Sequence, residues 1–330
     1  MSSPAVSVAM SVFNGERFLA PAIESVLGQT MGDFEFLILD DGSTDSTRTI
    51  IAGYAARDSR IRLIARENRG LVASLNELLA AARAPLVARM DADDVSMPTR
   101  FAEQLAFLEA NPDHGVVGSL TDDIDEDNRP FPLATSEHPR NHEEFLRRID
   151  TLGPLLAHPT VMYRRDVVLE VGGYHAAYRH CEDFDLWLRL AHRTRIANLP
   201  ARLLRYRHYA GQVSSRHAFE QQYGVAVSHL AYYERLAGRP DPTEHLLVLP
   251  SIEKLDRLFG REGVQQQVRG QVARALLYSH EAMAGHGFDM LLQHIAEGGR
   301  GPDLWRTVAR LVRFGEPRRA TRLALALIGA

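Results

Sequence analysis

Through the first third of the chain, short apolar runs alternate with stretches of helical spacing. AVSVAMSVF, residues 5–13, mixes β-branched and apolar residues and stops at the turn pair Asn14-Gly15, which predicts a buried strand. From Glu16 to Gln29 the apolar positions Phe18, Leu19, Ala22, Ile23, Val26 and Leu27 recur every three or four residues, which predicts a helix. The alternation then repeats. FEFLILD (34–40) is a strand stopped by Asp41-Gly42, STDS opens a helix over 43–57, and IRLIAR (61–66) is a third strand. A helix over 71–82 and a strand over 85–91 complete the series. Strands alternating with helices of this length predict a parallel sheet covered on both faces, whose ligands bind beyond the carboxyl ends of the strands. Asn14, Asp41 and Asp91 all fall at such ends.

Beyond Pro98 the pattern predicts a helix over 99–111 and a short strand over 115–120. TDDIDEDNRPF (121–131) spaces Asp123, Asp125 and Asp127 like a calcium loop, but Asn128 replaces the mid-loop glycine and Ala134 the closing glutamate. A solvated acidic hairpin is the better reading. HPTVMYR (158–164) reads as a strand, RDVVLEV as a helix closed by Gly172-Gly173, and CEDFDLWLRLAHR (181–193) as a helix with its acids first. From about His217 the pattern is helical. The expected boundary falls near 215–235, giving a catalytic-type domain over 1–225 and a helical one over 226–330. The last 30 residues carry six arginines against two acids, with an apolar stripe at Leu323, Leu325 and Leu327. A terminal helix packed on its own domain is the simpler expectation, and contact with an anionic membrane surface the other.

Composition narrows the function classes. The 330 residues are 45% hydrophobic and 24% charged with a net charge of -4, which gives nucleic acid no electrostatic footing. Cys181 is the only cysteine, so no internal disulfide can form and a reducing, cytoplasmic setting is expected. Lys254 is the only lysine and lies in SIEKLDRL, away from any P-loop or Schiff-base context. No run reaches the roughly 18 apolar residues of a membrane span. No basic residue precedes the apolar N-terminal stretch, so no secretory signal is expected.

Three acidic constellations carry the candidate chemistry. In LVARMDADDVSMP, Asp91 and Asp93 are spaced by Ala92 at the end of a strand, where two carboxylates could hold Mg²⁺ or Mn²⁺ or simply shape a turn. Asp94 reads as the cap of the turn into the helix after Pro98. In DDGSTDS, Asp41 could accept from the N–H of a base or from a ribose hydroxyl. Glu182-Asp183 opens an amphipathic helix, where the dipole favours ionised acids and hence proton acceptance.

Together these segments resemble a family. SVFNGERFLAPAIESVLGQT, FEFLILDDGSTDST, NRGLVASLNELLAAA, ARMDADD, HPTVMYRRDVVLEVGGY and EDFDLWLRL stand in the order of inverting family 2 glycosyltransferases with the GT-A fold, over about residues 5–212. The resemblance implies an α/β, Rossmann-like, mostly parallel sheet with a C-terminal helical extension. It implies a UDP-, GDP- or dTDP-linked sugar donor, Mn²⁺ or Mg²⁺ at a DXD motif, and a carbohydrate or lipid-linked acceptor. By position, Phe13, Asn14 and Glu16 would line the base pocket, Phe13 replacing the family's usual tyrosine. Asp41 would bond the base, and Asn68-Arg69 would lie near the nucleotide. Asp91 and Ala92 would face the ribose, with Asp91 also in the metal shell and Asp93 as the metal ligand. Asp183 would be the general base with Glu182 beside it, and Arg207 and His208 would lie by the diphosphate and metal. His158 would support the acceptor side. The Gln-x-x-Arg-Trp motif of processive synthases is missing, which implies one sugar per encounter, at the cytoplasmic face of a membrane or free of it. A metal-dependent nucleotidyltransferase or a non-catalytic nucleotide-sugar binder are the alternatives.

Overall fold

The computed structural model describes residues 3–131, 138–209 and 217–329; Ala134 lies outside them. The chain divides into two compact units, Met1–Ala176 with Glu182–Ala210, and Ala177–Cys181 with Gly211–Ala330.

The first unit is built on one sheet. Its strands are β1 (Val6–Val12), β2 (Phe34–Asp40), β3 (Ile61–Ala65), β4 (Leu86–Asp91), β5 (Val95–Ser96), β6 (His114–Ile124), β7 (Met162–Arg164) and β8 (Arg195–Arg207), ordered β3-β2-β1-β4-β7-β6-β8-β5. β3, β2, β1 and β4 run parallel, in a register that sets Val12 beside Asp40 and Ser11 beside Asp91. β7 is antiparallel to both β4 and β6, and β8 is parallel to β6, so β6 and β8 point the same way as β4. The carboxyl ends of six strands therefore meet at one edge. Helices α1 (Leu19–Leu27), α2 (Thr47–Ala55), α3 (Leu71–Ala81), α4 (Arg100–Ala110), α5 (His142–Asp150), α6 (Arg165–Glu170) and α7 (Glu182–Leu190) connect the strands.

β1 and β2 are buried on both faces, as their nearly unbroken apolar runs require. Val8, Met10, Phe36 and Ile38 pack with Leu19, Ile23 and Val26 of α1 and Phe101 of α4 in one core. Two charged side chains inside this unit show how burial is compensated. Glu35 of β2 accepts from Ser7 Oγ (2.6 Å), from the Arg83 N–H (2.7 Å) and from the Arg62 and Arg83 guanidinium groups (2.8 Å each). Burial alone would raise its pKa, but these donors outweigh burial and hold it below the usual carboxylate range. Arg100 of α4 is fully buried and donates to the carbonyls of Arg89 (2.6 Å) and Val161 (3.3 Å) and to Gln104 Oε1 (3.1 Å). Burial pushes Arg100 down to about 9, still protonated at neutral pH.

Several elements differ from the sequence reading. α1 starts at Leu19 rather than Glu16, because residues 14–16 are held in a turn by the loop after β2. His158–Thr160 is a 3-10 turn, and only Met162–Arg164 of that segment joins the sheet. β6 extends to Ile124, and the acidic stretch closes as a hairpin through an Ile124–Pro130 bridge. β8 has no counterpart in the sequence reading.

The second unit consists of helices α8 (Ala218–Leu236), α9 (Leu255–Phe259), α10 (Val264–Ala275), α11 (His280–Met283), α12 (His286–Ala296), α13 (Pro302–Arg313) and α14 (Pro317–Gly329). α10 packs on α8 and α12, and α13 packs on α14. Leu323 and Leu327 of the predicted apolar stripe are buried, each contributing about 1.5–3 kcal/mol. Leu325 points outward, 64% exposed. Among the described residues, no helix is long and apolar enough to cross a membrane.

Candidate active site

The loops that follow the parallel strands form the site. After β1 the chain turns through Asn14, a non-glycine residue with φ 51°. Its N–H donates to Ser43 Oγ (2.9 Å), that of Gly15 to Thr47 Oγ1 (2.8 Å) and that of Glu16 to Asp45 Oδ2 (3.2 Å). In return, Asn14 Oδ1 accepts from the Thr44 N–H (2.8 Å) and Glu16 Oε2 from the Ser46 N–H (3.0 Å). Asn14 and Glu16 thus stitch this turn to the loop after β2, beside Phe13, which is 52% exposed.

Asp41 sits at the end of β2, buried. Its carboxylate accepts from the N–H groups of Arg69 (3.0 Å) and Gly70 (2.9 Å) and pairs with Arg66. The geometry makes Asp41 the anchor of the loop after β3 and leaves Asn68 and Arg69 exposed on that loop. Gly42 is obligatory here: its φ is +81°, and a Cβ would stand 2.6 Å from the Asn68 nitrogen.

At the end of β4 the carboxylates of Asp91, Asp93 and Asp94 converge, with ligand oxygens within 4.8 Å of one another. Ala92 packs on the core beneath them. Asp91 pairs with Arg89, two residues back on the same face of the strand. Asp93 accepts from the Tyr209 hydroxyl (3.0 Å); burial, and then the charge of Asp91, push it up to about 6. Asp94 is 1% exposed, and its proton is held well above the usual carboxylate range by burial, with Asp93 and Asp91 adding to the effect. Asp94 is not a helix cap. α4 begins after Thr99 without a side-chain cap, and Asp94 Oδ1 instead accepts from the Arg207 N–H (2.9 Å). Its Oδ2 has no partner among the described residues. Three converging carboxylates with a buried free oxygen form an all-oxygen donor set that fits Mg²⁺ or Mn²⁺.

Glu182 and Asp183 open α7. Glu182 is 5% exposed with Oε2 unpartnered among the described residues. Burial, then the charge of Asp183, push Glu182 up to about 8, so it keeps its proton at neutral pH. Asp183 is partly exposed, and burial raises it too, against a hydrogen bond from the Phe184 N–H (2.8 Å). Asp91 acts electrostatically on both acids, and Arg89 opposes it, so the pair lies within electrostatic reach of the triad. Below them His158 Nε2 meets the Tyr174 hydroxyl (3.0 Å), and the His158 ring stands edge-on to Trp187. Burial holds His158 neutral, a support rather than a proton carrier.

Arg207 and His208, at the end of β8, are engaged by the protein itself. Arg207 Nε donates to the Asp93 carbonyl (2.7 Å), Nη1 to the Asp125 carbonyl (3.0 Å) and Nη2 to Asn128 Oδ1 (2.9 Å). His208 lies outside the acidic triad: its Nε2 meets Asp123 Oδ1 (2.8 Å) and its ring stacks on Phe131. Arg89 and Tyr209 had no place in the sequence reading. The i, i+2 spacing of Arg89 and Asp91 was a legible signal; Tyr209 reaches Asp93 across more than a hundred residues and left none.

Solved structures share this architecture. TarS of S. aureus, residues 1–349 in complex with UDP, superposes with a TM-score of 0.55 at 17% identity, covering 88% of this chain and 87% of that one. Mannosyltransferase PcManGT from Pyrobaculum calidifontis, in complex with GDP-Man and Mn²⁺, gives 0.54 at 16% identity over 99% and 88%. The fold is thus GT-A. Among relatives by sequence, EpsE of Bacillus subtilis is 39% identical over 192 residues, 57% of this chain and 67% of that one. The O-antigen biosynthesis glycosyltransferase WbnJ of Escherichia coli is 33% identical over 206 residues, 61% and 79% of the two chains. The profile described as Glycosyl transferase family 2 matches residues 7–172, and the chain belongs to that glycosyltransferase family.

Proposed function

We propose that this glycosyltransferase moves one sugar from a nucleoside-diphosphate sugar to an acceptor hydroxyl with inversion, assisted by Mn²⁺ or Mg²⁺. The observation that carries the reading is the convergence of Asp91, Asp93 and Asp94 at the carboxyl edge of the sheet, with the Glu182–Asp183 pair within electrostatic reach of Asp91. Asp93, Asp91 and Asp94 would hold the cation, which when bound supplies Lewis-acid stabilisation of the departing diphosphate. Asp183 takes the proton of the acceptor hydroxyl as it attacks the anomeric carbon from the face opposite the leaving group, and inversion follows from that in-line geometry. Glu182, protonated, leaves Asp183 as the one proton acceptor of the pair. Phe13, Asn14 and the exposed Asn68-Arg69 loop frame the nucleotide, with Asp41 setting that loop. The diphosphate, by contrast, finds Arg207 already committed to protein acceptors.

The test is a panel of UDP-, GDP- and dTDP-sugars scored by thermal unfolding with and without Mn²⁺. A donor at 100 times its Kd adds about 2.7 kcal/mol, which for a unit of this size is roughly 5–11 °C. Stabilisation by nucleoside triphosphates and by no nucleotide sugar would move the assignment to nucleotidyl transfer. Stabilisation without donor turnover would leave a sensor.

The acceptor fits a cell-surface glycan in assembly, in line with WbnJ's name. A cytoplasmic enzyme acting on lipid-linked acceptors gains from contact with the membrane. Trp305, Val312, Leu325 and Ile328 are exposed on α13 and α14, interspersed with exposed Arg306, Arg313, Arg318 and Arg322. The protein should co-sediment with vesicles containing phosphatidylglycerol, blue-shift its Trp305 fluorescence there, and release at high salt. Equal partition onto neutral vesicles would refute this contact.

A further inference from the structure

Two residues at the exit of β8, Arg207 and Tyr209, grip the loop that carries the acidic triad. Arg207 does most of it. Its N–H holds the Asp94 carboxylate and its Nε the Asp93 carbonyl, while Nη1 and Nη2 bind Asp125 and Asn128 of the acidic hairpin. Its guanidinium lies 4.5 Å from the centre of the Phe18 ring, at the entry to α1, and the residue is 1% exposed. Phe18 also takes Arg17 against its ring at 4.7 Å, and Arg17 pairs with Glu126 of the same hairpin (2.8 Å). Tyr209, whose ring is 5.2 Å from Phe18, donates to Asp93 Oδ2.

We propose that Arg207 is a positioning residue that presets Asp93 and Asp94 for a divalent cation, rather than a contact to the donor diphosphate. The inference rests on the metal reading above. Three carboxylates brought this close repel one another, so their loop opens unless something outside the triad holds it. The Arg207 guanidinium holds it by the Asp93 carbonyl, the residue's main-chain N–H holds one oxygen of Asp94 whatever the side chain, and the second oxygen of Asp94 stays unpartnered among the described residues. A clamp that consumed that oxygen would compete with the cation; this one spares it. Arginine suits the task because one planar fork reaches the triad loop and the hairpin at once. A lysine ammonium, a single point on a flexible stem, does not span both. Committed on every nitrogen and sealed from solvent, the guanidinium has little left to offer a phosphate.

The experiment is Mn²⁺ binding without nucleotide, by electron paramagnetic resonance, on the full chain, Arg207→Gln, Arg207→Lys, Asn128→Ala and Asp93→Asn, each with its unfolding temperature. Arg207→Gln should weaken Mn²⁺ about tenfold or more, as loss of a ligand's supporting partner does. Arg207→Lys should recover only a small part of this, and Asn128→Ala, which removes only the hairpin end, should stay near wild type. In transfer assays at saturating Mn²⁺, the donor KM of Arg207→Lys should stay close to the wild-type value. Mn²⁺ affinity within twofold of wild type in Arg207→Gln, whatever its stability, overturns the inference. Should Arg207→Gln fail to fold, wild-type Mn²⁺ affinity in Arg207→Lys does the same, as does a donor KM raised with Mn²⁺ affinity unchanged. A wild-type chain that binds Mn²⁺ no better than Asp93→Asn would instead refute the metal reading itself.

Discussion

Asp183→Asn is expected to lower transfer about 10²–10⁴-fold while donor affinity stays within about twofold. The side chain keeps its size and its place on the first turn of α7, and loses only the ability to accept a proton. Because burial raises Asp183, the base takes up its proton at a higher pH than an exposed aspartate does. The sign follows: a base must be ionised to work, so kcat/KM should climb as pH rises through the elevated pKa and level off above it. That acidic limb should vanish from the residual activity of the variant. Near-normal transfer by Asp183→Asn, with donor binding intact, would remove Asp183 from the reaction and turn attention to another acceptor of the proton.

Asp93→Asn should cost about 10²–10³-fold in turnover through the loss of charge stabilisation on the leaving diphosphate. Here the loss belongs to the metal rather than to the proton. Chelation of the wild-type protein should reproduce it and added Mn²⁺ or Mg²⁺ should reverse it, whereas the variant should respond weakly to either. Turnover that ignores chelator would refute the metal role of the triad. The two variants separate cleanly by donor affinity, since a nucleotide sugar that shares its diphosphate with the cation should bind Asp93→Asn more weakly and Asp183→Asn normally.

Much of the catalytic unit was legible because its central strands are buried on both faces. β2 matches the sequence pattern to the residue, and β1 and β4 to within one, since a strand with little solvent side shows a mostly apolar run; the partly exposed edge strand β3 also matches within one. β8 was not legible. Pro200 interrupts it, and its exposed Arg202 and Arg205 break the alternation that would announce a strand. Pro159 similarly turned the start of the expected 158–164 strand into a 3-10 turn. In the site, acids at strand ends and helix starts could be found by residue type and position. What each acid touches could not. Asp41 reads as an open acceptor in sequence and is an internal anchor in space, and Asp94 reads as a cap and is a buried member of the triad. Such partners lie 25 to 113 residues away, and only the sheet's register brings them together.

The stitching of the first two loops has a consequence for recombining these enzymes. Five main-chain N–H groups cross between residues 14–16 and 43–47, each to a side chain of the opposite loop. Grafting either loop alone from a relative with different side chains strands the N–H donors of the loop left in place. The two segments, nearly thirty residues apart in the chain, are in effect one cassette, and a chimera has to exchange them together.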